Sequence, residues 1–347
     1  MKTHAIIPIF IPHRGCQNDC VFCNQKAITA RTSDVDPDDV RRIIEEYLPT
    51  LVNRNLETIE VAFFGGSFTG IPMEEQSAFL EVALEYKQKG LINKIHMSTR
   101  PDYINRAILD NLLKYQVDII ELGVQSFDDE VLAKSKRGHT SDVVYEACAL
   151  IQEYGFELGI QLMIGLPGDS LEKCLFSSRE AVKIGPSIAR LYPTIVLDDT
   201  ELLEMYNRGE YEPMTTDEAV AITKEMYKVL HSAGINIIRV GLKSTDLISG
   251  SGDEGDRTIG HTYHPAFRQL VEGEIAKEIL EEQILNNLNC LSDSRQVCLY
   301  SNGQSFSNMI GNSRRNKLYF QEKYPDLTFS FKVDPTLGKM EYRAVFP

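Results

Sequence analysis

Over its first 240 residues this chain alternates short apolar runs with longer amphipathic ones, and that order limits its fold more than anything else in it. The short runs are Ala5–Ile11, Ile59–Phe64, Lys94–Thr99, Val117–Val124, Leu158–Ile164 and Ile188–Val196. They are rich in Ile, Val and Phe and almost continuously apolar, as parallel strands covered by helices are. Helical patterns fill the gaps: Pro37–Leu48, Met73–Lys89, Asn105–Lys114, Asp142–Tyr154, Ser170–Ile184 and Thr216–Ala233. The first puts Val40, Ile43, Ile44, Tyr47 and Leu48 on one stripe, with Asp36 suited to the N-cap and Pro37 to the first helical position. Pro49 is expected to end or kink it. Six β/α units in a row predict an α/β fold in which a parallel sheet with right-handed crossovers closes into a barrel or part of one. Chemistry in such folds gathers at the C-terminal strand ends.

After Ile237–Val240 the texture changes. Ser249–Gly260 is rich in Gly, Ser and Asp and reads as an exposed loop. A helix near Glu272–Asn287, a strand at Arg295–Tyr300, a basic helix over Asn312–Lys323 and a strand at Leu327–Val333 make a small α+β extension. The expected division is a core over residues 1–245 and a substrate-side extension over 246–347.

The formal charge of −14 weighs on the choice of partner. Nucleic-acid binders are usually basic, so any RNA surface here has to be a local patch on an acidic body. No apolar run is long enough to span a bilayer and no secretion signal is visible at the N-terminus, which makes a cytoplasmic protein the expectation.

Seven cysteines are present, and three crowd into Cys16-Gln17-Asn18-Asp19-Cys20-Val21-Phe22-Cys23, just after the first strand. In a reducing compartment such crowding reads as metal or cluster ligation, not as a disulfide framework. Three thiolates at this spacing suit three irons of a [4Fe–4S] cubane, leaving the fourth open to the amino and carboxylate groups of S-adenosylmethionine (SAM). Phe22 is placed to shield cluster and adenine from water. A zinc site with His13 as fourth ligand is the other reading, although zinc knuckles usually bring two separated ligand pairs. Cys148 and Cys174 fall within helical patterns, where burial is expected.

Further motifs follow in order at the strand ends: Phe64-Gly65-Gly66-Ser67-Phe68-Thr69, Ser98-Thr99-Arg100-Pro101-Asp102-Tyr103, Glu121-Leu122-Gly123-Val124-Gln125-Ser126, Arg137-Gly138-His139-Thr140 and Met163-Ile164-Gly165-Leu166-Pro167-Gly168. With the cysteine loop, this series resembles the radical SAM superfamily, and most closely the radical SAM domain of Elongator subunit 3-like proteins. The oxygen-independent coproporphyrinogen oxidase group is a more distant likeness. The resemblance implies a partial (β/α)6 TIM-like barrel, a [4Fe–4S] cluster on Cys16, Cys20 and Cys23, and an external electron donor of flavodoxin or ferredoxin type. It also implies SAM contacts from Gly65, Gly66 and Ser67 (methionine amino group), Gln125 (ribose), Arg137 (carboxylate) and Met163, Ile164 and Gly165 (adenine). A surface salt bridge is the ordinary alternative for Arg137, and strand packing the alternative for Met163 to Gly165. The resemblance covers the radical SAM domain alone, so acetyl-CoA chemistry is not among the expectations.

Weaker signals remain. His261 and His264 are too few for a second metal site and better suit a loop-to-helix junction. Arg314, Arg315 and Lys317 lie on the expected basic helix as phosphate contacts or a solvated face. The pairs Asp128-Asp129 and Asp198-Asp199 fit helix capping. The functional expectation is radical cleavage of SAM applied to a tRNA base. Radical chemistry on a small metabolite is the alternative, and a cluster- or zinc-bearing binding module a third. The oligomeric state is left open.

Overall fold

The computed structural model describes residues 3–11, 16, 20–24, 35–51, 53–242, 262–288 and 295–347. Seven apolar runs form strands, since β-branched and aromatic side chains suit a covered, pleated surface. In chain order, strands and helices are β1 (His4–Ile11), α1 (Pro37–Leu51), β2 (Thr58–Gly65), α2 (Met73–Gln88), β3 (Lys94–Thr99) and α3 (Arg106–Lys114). Next come β4 (Ile119–Gln125), α4 (Asp129–Lys134), α5 (Ser141–Glu153), β5 (Glu157–Ile164) and α6 (Leu171–Ile184). The series closes with β6 (Ile188–Pro193), α7 (Glu201–Asn207), α8 (Thr216–Ser232) and β7 (Asn236–Val240). The strands pair in this order, all parallel, in one curled sheet whose β1 and β7 edges are not joined among the described residues. The architecture is an α/β half-barrel, as the alternation predicts.

The period of two along each strand sorts its side chains. Ile7, Ile9, Val61, Phe63, Ile95, Met97, Leu122, Ile160 and Leu191 point outward into the main core beneath the helices. Their neighbours face the lumen. Helix starts are chemically marked. The Asp39 amide donates to Asp36 Oδ1 at 2.8 Å, and Val131 N to Asp128 Oδ1 at 3.0 Å. Thr215 and Glu218 form a capping box on α8. Two capping or stop expectations need correction. Pro49 does not end α1, which continues to Leu51. In the last turn Pro forfeits only one hydrogen bond, and burial of Leu51 in the core holds the turn together. At α7 the cap is Thr200, whose side chain accepts from Leu203 N at 3.2 Å, and not Asp198 or Asp199.

Helix α9 (Phe267–Asn287) is shared between two cores. Phe267, Leu270, Val271 and Ile275 sit in the barrel core, while Ala276, Leu280 and Ile284 sit in a second core. That second core is completed by β8 (Gln296–Ser301), α10 (Phe306–Ile310), α11 (Arg315–Lys323), β9 (Thr328–Val333) and β10 (Tyr342–Val345). The three strands form a separate sheet in the order β10-β8-β9. The basic helix expected from Asn312 begins only at Arg315, because Ser313 and Arg314 hold left-handed backbone (φ 50° and 67°). Among the described residues no helix is long and apolar enough to cross a membrane.

Candidate functional site

Parallel strands deliver their C-terminal ends to one face, and the predicted motifs meet there. Cys16, Cys20 and Cys23, Phe22, Gly65, Gly66, Ser67, Gln125, Arg137 and Met163 all line a single cavity of about 1470 Å³ that fills the lumen. The cysteine segment is pinned from two sides. Val21 N donates to Ser135 O beyond α4 at 3.3 Å, and Val21 O accepts from Leu202 N in α7 at 2.8 Å. Val21 packs with Val196 and Leu202, and half-buried Phe22 covers that cluster.

The glycine pair is a requirement of the strand end. Gly65 has φ +110°, and a Cβ there would stand 2.8 Å from the carbonyl oxygen of Ile11. Gly66 N donates to that same oxygen at 2.8 Å. The ends of β1 and β2 are thereby pinched together, and buried Ser67 Oγ comes within 3.1 Å of Cys16 Sγ.

Arg137 is 5% exposed, which removes the surface-salt-bridge reading. Its guanidinium donates to Cys20 Sγ at 3.1 Å and to the Gly123 carbonyl. Gln125 ends β4 with left-handed backbone (φ 71°) after a bulge, and its Oε1 accepts from Gln161 Nε2 at 3.3 Å. Of the three residues expected at adenine, Met163 reaches the cavity. Ile164 is buried in the outer core. Gly165 turns the chain away, its amide donating to Asp169 Oδ2 and its carbonyl accepting from Tyr211 Oη. His13, residues 249–260 and His261 lie outside the described residues, as do Arg14 and Lys26, the cations that flank the cysteine loop, and the sixth cysteine, Cys290. His264 does serve the loop-to-helix junction, its Nδ1 accepting from Ala266 N at 3.0 Å.

Arg100 is a site residue that spacing did not single out. Only 3% exposed, it donates bidentately to Asp102 (2.9 Å each) and to the Arg137 carbonyl, and it approaches Cys20 Sγ at 3.7 Å. The signal was the strand-end motif Ser98–Tyr103, whose Arg-x-Asp pair is a bidentate clamp in waiting.

Deeper in the lumen, inward-facing positions carry charge. Glu60 accepts from His4 Nε2 at 3.0 Å and pairs with His96 Nδ1 at 2.6 Å. Burial opposes its ionisation, but those two hydrogen bonds prevail and hold its carboxyl down to about 2. Glu121 accepts from Arg190 Nε at 2.6 Å, and the Arg190 guanidinium lies 4.7 Å over the Phe64 ring. Lys94 and Glu157 pair at 2.5 Å at the lumen floor. Two further thiols, Cys148 and Cys174, are buried in the core. Burial pushes Cys148 up to about 12 and raises Cys174 further, so both stay protonated and inert.

The donor set fits an iron–sulfur cluster with SAM. Three thiols sit at one cavity mouth, two buried guanidinium groups point at Cys20 Sγ, and the pinched glycine turn brings backbone to the same place. Hydrogen bonds to ligand sulfur favour the thiolate and tune a cluster. Among the described residues no group of three His, Cys, Asp or Glu side chains converges on a single ion. Thiolates bound to three separate irons need no such convergence.

The sequence matches the Radical SAM superfamily over residues 10–175 and the Radical_SAM C-terminal domain over residues 186–277. It is 33% identical over 259 residues to the tRNA uridine(34) acetyltransferase of Methanocaldococcus jannaschii, covering 63% of this chain and 47% of that protein. It is 26% identical over 242 residues to the Elongator complex protein 3 of Homo sapiens, covering 59% and 44% respectively. The chain thus spans about half the length of these curated relatives. Among solved structures, the archaeal Methanocaldococcus infernus Elp3 with an N-terminal deletion superposes with a TM-score of 0.57 at 24% identity, over 71% of this chain and 61% of that one, a likeness of fold. Fold, strand-end motifs and sequence agree: this chain is an enzyme of the radical SAM superfamily, with the [4Fe–4S] cluster and SAM as its cofactors.

Proposed function

We propose that the chain holds its cluster through Cys16, Cys20 and Cys23, cleaves SAM reductively, and uses the radical to modify a base of tRNA. The chemistry that cluster and SAM supply together when bound is cleavage to methionine and a 5′-deoxyadenosyl radical, which abstracts hydrogen. The protein's part is positioning. Arg137 offers a buried guanidinium to the SAM carboxylate, and Gly65, Gly66 and Ser67 give backbone access to its amino group. Gln125 serves the ribose, and Met163 gives an apolar wall to the adenine. Ile164 and Gly165 act behind that wall by setting the course of the chain. Phe22 excludes water from the mouth, and an external flavodoxin- or ferredoxin-type donor supplies the electron. The described part of the extension, residues 262–288 and 295–347, serves the substrate side.

The observation that carries this reading is the meeting of three cysteines, Arg137 and the glycine turn at one mouth of a cavity of about 1470 Å³. That volume exceeds the usual range for one small ligand and leaves room for a second reactant beside SAM. A base of tRNA is favoured by the likeness to the tRNA uridine(34) acetyltransferase of M. jannaschii. The net charge of −14 favours a second reading, a small metabolite as substrate. Anaerobic isolation separates the two. Enrichment of tRNA with the protein is expected, and a bound metabolite in its place overturns the RNA reading. Iron should reach about four per chain on reconstitution; stoichiometric zinc without iron uptake would overturn the cluster assignment.

A further inference from the structure

The lumen is cationic although the chain is acidic. Among the described residues, seven Lys and Arg side chains line the cavity against four Glu, in a protein of net charge −14. Most are accounted for by ion pairs: Lys94 with Glu157, Arg190 with Glu121, Arg268 with Glu272 and Arg100 with Asp102. Arg137 belongs to the cysteine mouth. Arg239 and Lys339 are left, and neither has a carboxylate within ion-pair distance among the described residues.

Arg239 owes its direction to a defect in the sheet. In the pairing of β6 with β7, Ala189 lies opposite Ile237 but Arg190 lies opposite Arg239, so Ile238 is an extra residue. In an unbroken register Ile238 would lie opposite Arg190, and Arg239 would turn outward with Ile237, into the apolar core. The bulge turns it into the lumen beside Arg190, a like charge. The displaced carbonyl of Ile238 is not left unmet, because Arg268 of α9 donates to it at 3.2 Å. Arg239 Nε donates to Gly241 O at 2.9 Å, which fixes the guanidinium's plane. Lys339 reaches the same cavity from the turn before β10, a turn tied down where Met340 N donates to Ser305 Oγ at 2.9 Å. Two cations that line one cavity, neither of them paired with a carboxylate among the described residues, call for an anionic ligand group.

We propose that Arg239 and Lys339, with Arg268 behind them, form a subsite for a phosphate group of the substrate. A fixed guanidinium plane suits phosphate oxygens, and a lysine on a turn adds a mobile point charge. The inference deepens the tRNA reading and rests on it for the bearer of the phosphate, a nucleotide of RNA. A free nucleoside monophosphate has the same chemistry.

The test measures binding of tRNA, uridine 5′-monophosphate and uridine to the anaerobically reconstituted protein, its Arg239→Gln/Lys339→Gln double variant and Arg239→Lys. The double change should weaken tRNA and uridine 5′-monophosphate by about tenfold or more, with a smaller salt dependence for tRNA. Uridine should be unaffected, and Arg239→Lys should lose part of the affinity, because an ammonium keeps the charge without the planar fork. If tRNA binds wild type and double variant equally, the subsite is overturned while the RNA reading stands. Nucleotide binding that depends on Arg239, with no tRNA binding, keeps the subsite and overturns the RNA reading. Absence of both kinds of binding overturns both. An equal loss of uridine would mark the effect as structural and overturn the subsite. Should the double variant fail to fold, Lys339→Gln alone, at an exposed turn residue, must still weaken the phosphate-bearing ligands, and no effect there overturns the proposal.

Discussion

At the scale of single residues, burial separates the charges at the cavity mouth from ordinary surface ones. Arg137 is nearly inaccessible and aimed at a cysteine sulfur, where a surface arginine would be solvated. Arg137→Ala is expected to weaken SAM binding by roughly 1.5–3 kcal/mol, measured by calorimetry on reconstituted protein. Unchanged affinity in a folded variant would remove its carboxylate role. Glu60 gives a pH-dependent prediction. Its carboxyl is held at about 2, below the ordinary value of 4.5, by His4 and His96. A depressed carboxylate contributes stability that is fully present above its unfolded value and is lost as pH falls toward the folded one. Urea unfolding of the apoprotein should therefore lose on the order of 2–3 kcal/mol between pH 5 and pH 2 through this group. Glu60→Gln should flatten that acid limb, and an identical pH profile in the variant would count against the assignment. The cysteine triplet was legible in the sequence because its spacing is local, and Arg137 through the resemblance of its motif to the radical SAM superfamily. The Glu60–His96 pair was not, since its members are 36 positions apart and meet only through strand pairing.

At the scale of elements, the informative places are where regular structure breaks. The end of β2 needs a glycine on two counts, a φ of +110° and a carbonyl 2.8 Å from any Cβ. Gly65→Ala should cost about 1–3 kcal/mol from backbone strain alone. It should also lower the iron retained on reconstitution, because Ile11 leads into the cysteine loop. Denaturation midpoints and iron analysis check this, and wild-type values in both would refute it. The bulge in β7 and the left-handed pair Ser313–Arg314 are breaks that composition does not announce. Arg314 consequently stands exposed on a turn, and Arg315 pairs with Asp217 at 3.0 Å, so the two act separately and not as one basic helix face.

At the scale of the whole molecule, α9 ties the tail to the barrel. One face of it fills the barrel core and its later turns fill the tail's core. Leu280→Ala is expected to cost about 2–5 kcal/mol as a fully buried leucine. Near-UV and far-UV signals should still coincide in a single thermal transition, because the two cores share this helix. Two separated transitions would show that the tail folds on its own. What the sequence by itself determined was the order of strands and helices and the C-terminal strand ends as the place where the cysteine, glycine and arginine motifs fall. Apolar periodicity and short-range spacing act within about twenty residues, and those features need nothing longer. Only the tertiary structure decided which inward side chains pair across the lumen, that Ile164 and Gly165 stand behind the cavity wall, and that a single extra residue turns Arg239 inward. Those depend on register between strands far apart in the chain, and a shift of one residue in register exchanges the two faces of a strand.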